Sequence, residues 1–440
     1  KFYEHREMVD YLAAQAPYEE WLQAVTELEP EIGPGPEPVL FNREDMLRRQ
    51  TAAGYSLETL ELILAPMAES AKEAIGSMGD DTAPAVLSSA FRPMSHFFRQ
   101  NFSQVTNPPI DPLREGRVMS LRTRFKNLGN VLETDKSQQE IFVLESPVLT
   151  TGMYDRLLTR LGLGTEIIDC TFAAEDVTAA EGEALKEALE RIRREAEEAV
   201  RAGREHIILT DENQSASRIA VPMILATGAV HSHLVAQGLR TFCSITVRSA
   251  ECLDTHYFAV LVGVGATCVN AYLAQDAIAD RHARGLLGNL TLGQAVKNFK
   301  DAVEAGLLKI ISKMGISVIS SYRGGYNFEA LGLSRALVAD YFPGMSSRIS
   351  GLGLAGLEEN ALVRHQKAFD EDVIALPVGG FYRLRASDEL HALDGTLIHT
   401  LQAACNRGDY SIYRKYVEAV HARDPIQLRD LLDFKKAGAP

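Results

Sequence analysis

The sequence predicts an α/β fold: a mostly parallel sheet with flanking helices, incomplete barrel-like or three-layer, plus helical amino-terminal and mixed carboxyl-terminal segments. Two observations predict it. Short apolar or alternating runs recur from Ile141 to Ser320, and helical stretches separate them, the rhythm of right-handed strand–helix–strand crossovers. A third sets the scale, since 440 residues bury a sizeable core and exceed one ordinary domain.

Taken in order, Phe2 to Leu28 is helical in pattern, and the run GPGPEP (Gly33 to Pro38) cannot continue a helix and reads as a linker. Asn42 or Arg43 opens a charged helix through Gln50. Ser56 caps LETLELILAPM, with Glu58 and Glu61 in its first turns as the helix dipole prefers. Met67 to Asp111 is rich in turn formers, and a loop region of that length is functional or held by a partner. Strand candidates follow at Ile141 to Leu149, Glu166 to Phe172, His206 to Asp211, Thr241 to Val247, Thr267 to Tyr272 and Ile316 to Ser320. Between them lie helices at Glu181 to Ala202, whose Glu and Arg residues form a solvated face, Pro222 to Gln237 and Leu292 to Met314.

In the last of these helices Val303, Leu307, Ile310 and Ile311 recur at helical spacing, and Gly315 ends it. Ile316 to Ile319 then reads as a buried strand, with Ser320, Ser321 and Tyr322 at its carboxyl end and Arg323, Gly324 and Gly325 turning the chain out. A basic, glycine-rich turn past a parallel strand is either surface in use or a tight turn needing positive φ. Beyond Phe369, Val378 to Asp394 alternates like a hairpin, and helices follow through Cys405 and from Ser411 to His421. The expected divisions are 1–40 (helix and linker), 41–140 (helical and loop-rich), 141–372 (α/β core) and 373–440 (hairpin and helices).

Lys+Arg 45 against Asp+Glu 59 gives a formal charge of −14, which argues against general affinity for nucleic acid or anionic membrane. The apolar run Tyr257 to Val269 is broken by glycines and too short to span a bilayer, and Lys1 to Leu22 is too charged for a signal peptide, so the expected location is cytoplasmic. Cys170, Cys243, Cys252, Cys268 and Cys405 form no CxxC pair and read as buried free thiols. The start at Lys1 and the KKAGAP end read as those of a piece of something longer.

Chemistry-bearing motifs are sparse. His231 and His233, two apart on a helix, point away from each other and suit packing rather than one metal. Asp80 and Asp81 suit a cap for a helix starting near Thr82 better than a magnesium site with Asp111, and no metal is assigned. GVGAT (Gly263 to Thr267) precedes a strand, the wrong order for a dinucleotide fingerprint. The prolines of Asn107 to Pro112 make a stiff loop suited to a wall or gate, or a plain connector.

The run KIISKMGISVISSYRGGYNFEALGLSRALVADYF (Lys309 to Phe342) closely resembles the end of the central domain of the glutamate synthase large subunit. Ala65 to Ser88, Phe102 to Glu115 and Ser347 to Leu354 resemble the same domain in the same order. The resemblance implies a central, structural and interdomain-coupling region that joins a glutamine amidotransferase domain to an FMN synthase domain and lines part of an ammonia tunnel between them. It implies no catalytic, cofactor or metal residue in this chain, with FMN and an iron–sulfur cluster carried elsewhere in the parent enzyme. The implied partners are those other domains and a small electron-donating subunit; pyridine-nucleotide and ferredoxin forms share this region. For the tunnel or an interface the candidates are Thr106, Asn107, Pro108, Ile110 and Asp111, with Ser77 and Met78 beside them, and Tyr322, Arg323 and Gly324. Competing readings are an autonomous FMN-binding α/β enzyme, with Arg323 to Gly325 as its phosphate loop, and a stand-alone interaction module.

Overall fold

The computed structural model describes residues 2–74, 81–102, 110–129, 132, 141–177, 181–370, 372–385, 389–433, 435 and 438. Its centre is a five-stranded sheet: β1 (Val148–Leu149), β2 (Thr165–Asp169), β3 (His206–Thr210), β4 (Ser244–Arg248) and β5 (Cys268–Asn270). The order is β1-β5-β4-β3-β2 and every pairing is parallel. From β2 to β5 successive strands are neighbours, as in a barrel, while β1 and β2 stand at opposite edges. Every residue of β3, β4 and β5 is buried, because helices cover both faces, and this is why they read as unbroken apolar runs.

The crossover helices begin where their sequences supply caps. Thr150 Oγ1 accepts from the amide of Met153 at the start of Thr151–Leu161, Asp254 from Tyr257 at Thr255–Gly263, and Thr291 from Gln294 at Leu292–Lys313. Helix Glu183–Arg201 turns Leu185, Leu189 and Ile192 inward and its charges outward, whereas Met223–Ala236 is apolar nearly all round because it lies between that helix and Arg335–Tyr341. One apolar core runs from Ile63 to Ala361 in sequence and gathers these elements except helix Thr151–Leu161, whose Met153, Tyr154 and Leu157 pack in a second cluster with Leu28, Ile32 and Phe125.

Several expectations need correction. Ile316 to Ile319 forms no strand: Val318 makes a single bridge to Ser120, and Ile319–Tyr322 is one helical turn that buries Ile319 and Tyr322 without sheet partners. Val378 to Asp394 forms no hairpin among its described residues. Phe2 to Leu28 breaks into His5–Ala13 and Tyr18–Leu22, with Pro17 between them. The strands Phe328–Leu333 and Ser346–Leu352, unforeseen in the sequence, pair in parallel, and Phe98–Gln100 joins the first antiparallel. Cys405 is exposed, while the other four cysteines are buried.

Buried carboxylates fasten distant segments together. Glu58, 3% exposed, accepts from the amides of Gly380, Phe381, Tyr382 and Arg383 at 2.8–3.2 Å, which leaves those amides nothing to offer a hairpin partner. Glu358 accepts from Gly182 and Leu185 at the start of Glu183–Arg201. Glu37, at the end of the Gly/Pro-rich linker, accepts from Thr150 Oγ1 and the Gly152 amide; Asp276 takes the amides of Leu40 and Phe41.

Candidate functional site

In parallel α/β sheets ligands bind beyond the carboxyl ends of the strands. Here that edge is filled by the chain itself. Arg248, the last residue of β4 and 2% exposed, donates Nε and Nη2 to Glu212 at 2.9 Å and Nη1 to Asn270 at 2.9 Å. Its guanidinium lies over the rings of Tyr154 and Tyr272. Asp211, after β3, accepts from the Ala250 amide and the Tyr272 hydroxyl. Burial pushes its carboxyl up to about 7 against the pull of those two donors. Helix Arg43–Ala52 closes the edge from above, with Arg49 donating to the Glu212 carbonyl and Tyr55 beyond it to that of Ala250.

Two open spaces lie elsewhere. A cavity of about 460 Å³ is walled by Glu73, His96, Phe98, Arg99, Phe102 and Asp254. A neighbouring one of about 700 Å³, bounded by Tyr55, Glu58 and Arg364, shares Arg92, His96, Asp254 and Phe381 with it. Burial first, and then the charge of Arg92, pulls His96 down to about 3, so its imidazole is neutral. Burial and the adjacent Asp254 charge raise Glu73 to about 7, so near neutrality this wall holds a proton on a carboxyl. Aromatic rings and a neutral imidazole thus share this wall with Glu73, Asp254, Arg92 and Arg99. They supply no nucleophile.

Thr106, Asn107 and Pro108, and likewise Ser77 and Met78, lie outside the described residues. The residues preceding both segments line the smaller cavity, Ala74 before one and Phe102 before the other. Ile110 packs on the main core, and Asp111 caps Pro112–Val118 through the amides of Leu113 and Arg114. Tyr322 is buried and its hydroxyl accepts from Gln100 Nε2. Asp80 is outside the described residues, and Asp81 caps no helix: its carboxylate meets His391 Nδ1 at 2.9 Å and the Leu393 amide.

The Arg323 turn follows a helical turn rather than a strand end, so it is not a barrel-type phosphate loop. Gly324, at φ +68, lies against His231: a Cβ there would stand 2.8 Å from Cε1 and 2.9 Å from Nε2 of the imidazole. Gly265, at φ +124, closes the other side, where a Cβ would come within 2.3 Å of Cγ. Arg240 Nε donates to His231 Nδ1 at 2.9 Å. Burial, then the charges of Arg240 and Arg323, lower His231 to about 3, which keeps the ring a neutral acceptor. His233 faces away, to Glu197 at 2.6 Å.

The model of the glutamate synthase central domain matches residues 48–334. The chain belongs to the glutamate synthase central domain family. It is 55% identical over its whole length to the glutamate synthase [NADPH] large chain of Azospirillum brasilense, of which it covers 29%. It is 37% identical over its whole length to the ferredoxin-dependent glutamate synthase of Spinacia oleracea, covering 28%, and 35% identical over 97% of its length to the [NADPH] large chain of Bacillus subtilis, covering 28%. The chain therefore spans under a third of the length of the curated relatives it matches. Membership fits the filled sheet edge of this central domain.

The groups that glutamate synthases imply, FMN and an iron–sulfur cluster, do not fit these residues. The strand ends that would cradle a flavin phosphate are packed with Arg248, Glu212 and Tyr272. Cys170, Cys243, Cys252 and Cys268 are buried apart, and burial drives all four thiols upward, away from the thiolate that iron requires. Among the described residues no three His, Cys, Asp or Glu side chains converge as a metal site, and no helix is long and apolar enough to cross a membrane.

Proposed function

We propose that this chain is the coupling region of a glutamate synthase large chain, joining a glutamine amidotransferase domain to an FMN synthase domain and forming part of the wall along which ammonia passes. The parent enzyme makes glutamate from glutamine and 2-oxoglutarate, FMN and the iron–sulfur cluster reside in its other domains, an electron-donating subunit or protein reduces it, and it works in the cytoplasm. The observation that carries this reading is the pair of adjoining cavities, the smaller of which is lined by Ala74 and Phe102. Burial keeps His96 neutral, so that wall carries less fixed positive charge than its composition suggests.

The test is the ratio of glutamine hydrolysed to glutamate made in the full-length large chain. Asn107→Phe should raise that ratio, by blocking transfer, while glutamate formation from added ammonia is retained. An unchanged ratio in a folded Asn107→Phe variant makes the segment a connector and removes the passage.

A further inference from the structure

A second cleft, of about 750 Å³, opens on the far side of the Arg323 turn from His231 and is independent of the cavities above. Its floor is the small sheet of Thr26–Glu27, Phe142–Leu144 and Thr123–Phe125, where Glu27, Val143 and Arg124 stand in register across three strands. Leu22, Ile141 and Val318 add apolar walls. Arg122 is paired with Glu27 and Glu145, which neutralises the acid on the floor. Arg124 and Arg323 remain.

Among the described residues neither the exposed Arg124 nor the partly buried Arg323 has a carboxylate within ion-pair distance, although Arg92, Arg248 and Arg364, largely buried near cavities or strand ends, are each paired with a glutamate. Among the described residues Arg323 hydrogen-bonds there through Nη1, to Thr123 Oγ1 at 3.1 Å and the Arg124 carbonyl at 3.5 Å, with Nε and Nη2 given no partner by them. Behind it stands Arg240, whose partners are likewise neutral: His231, the Cys243 carbonyl and the Gly265 carbonyl. Burial and the neighbouring Arg240 charge lower Arg323 to about 10, the mark of a cation short of a counter-charge. Uncompensated buried charge is costly, and a chain with 59 acids and 45 bases had carboxylates to spare for this cleft.

We propose that this cleft is a carboxylate site, in which Arg323 and Arg124 grip one carboxylate and Leu22, Ile141, Val143 and Val318 hold a short aliphatic body. A guanidinium presents a planar fork that matches a carboxylate, and the apolar walls favour an acid with an aliphatic body over a bare inorganic oxyanion that the fork alone would also accept. The carboxylate is either that of a free aliphatic acid or that of an Asp or Glu side chain from a further part of the polypeptide.

Calorimetric titration of the 440-residue chain with succinate tests the first source, with succinamide and sulfate as controls. Saturable succinate binding that is weakened at least tenfold in Arg323→Gln and in the exposed variant Arg124→Gln, with succinamide silent and sulfate weaker, supports a free acid. The second source alone rests on the reading of the chain as part of a large chain. There, Arg124→Lys in the full-length protein treated with a carbodiimide should form an amide, found by mass spectrometry, between position 124 and an acid outside residues 1–440. Equal binding of sulfate, retention of succinate affinity in Arg124→Gln, or the absence of both succinate binding and the cross-link overturns the proposal.

Discussion

Substituting Gly324 by alanine should be among the most damaging single-methyl changes in this chain. A non-glycine residue at φ +68 costs about 1–2 kcal/mol from the backbone alone. The new Cβ would lie 2.8–2.9 Å from the His231 ring, closer than real contacts allow. The ring cannot retreat, because Gly265 leaves no slack on its other side. Movement therefore breaks the bond from Arg240 Nε to His231 Nδ1 and strands a buried guanidinium donor, a loss of about 1.5–3 kcal/mol. The two effects sum to about 2.5–5 kcal/mol, a large share of the 5–15 kcal/mol that about holds a folded domain together. Equilibrium urea unfolding followed by circular dichroism measures it. Repeating the substitution in a His231→Ala background isolates the clash, since only the backbone cost of about 1–2 kcal/mol remains there. A penalty that is equal in both backgrounds, or below about 0.5 kcal/mol in the wild type, refutes the reasoning.

Three further outcomes follow from the same contacts. Glu58→Gln replaces a charged acceptor of four amides with one neutral oxygen and a competing donor, and should destabilise by about 2–3 kcal/mol; amide hydrogen exchange at Gly380 to Arg383 should accelerate, and unchanged protection there would count against the clamp. His391 is raised: burial pulls it down, but the Gly380 carbonyl and the Asp81 carboxylate, one at each ring nitrogen, outweigh that. A His raised in the folded state stabilises fully below its ordinary value near 6.5 and loses that contribution as pH climbs through the raised value, so melting temperature should fall over that window in the wild type and stay flatter in His391→Asn. The purified chain should be colourless after desalting, because the strand ends are packed; a stoichiometric flavin band in the visible would revive the autonomous-enzyme reading.

The central sheet was legible because buried parallel strands impose apolar runs on the sequence itself. β3 lies inside the run His206 to Asp211, β4 overlaps the run Thr241 to Val247 and ends one residue beyond it, and the helix after β4 begins at an Asp254 cap. What escaped was set by partners far away in sequence. Ile316 to Ile319 has the composition of a strand, yet it meets Ser120 through one bridge at Val318 and joins no sheet, so Ile319 reaches the core from a helical turn instead. Val378 to Asp394 alternates like a hairpin, but its amides at 380–383 are taken by a carboxylate more than 320 positions earlier, which no local pattern reveals. Phe328–Leu333 was hidden by Gly332 and by polar residues in its partner Ser346–Leu352. The tunnel candidates were chosen by resemblance, and of the site only Arg323 and Gly324 had a local signal, the positive-φ turn. Its true neighbour, His231, sits on a helix 90 positions away and carried none.

The carboxylate clasps have an evolutionary corollary. Glu58, Glu358, Glu37 and Asp276 each bind main-chain amides of a remote segment, Glu37 with the Thr150 hydroxyl besides. The acid must therefore stay an acid, whereas the amides it holds make no demand of their own on the side chains beside them. One substitution is barred. Proline has no amide hydrogen, so Leu40, Phe41, Gly152, Gly182, Leu185 and the run from Gly380 to Arg383 should exclude proline at every one across related chains.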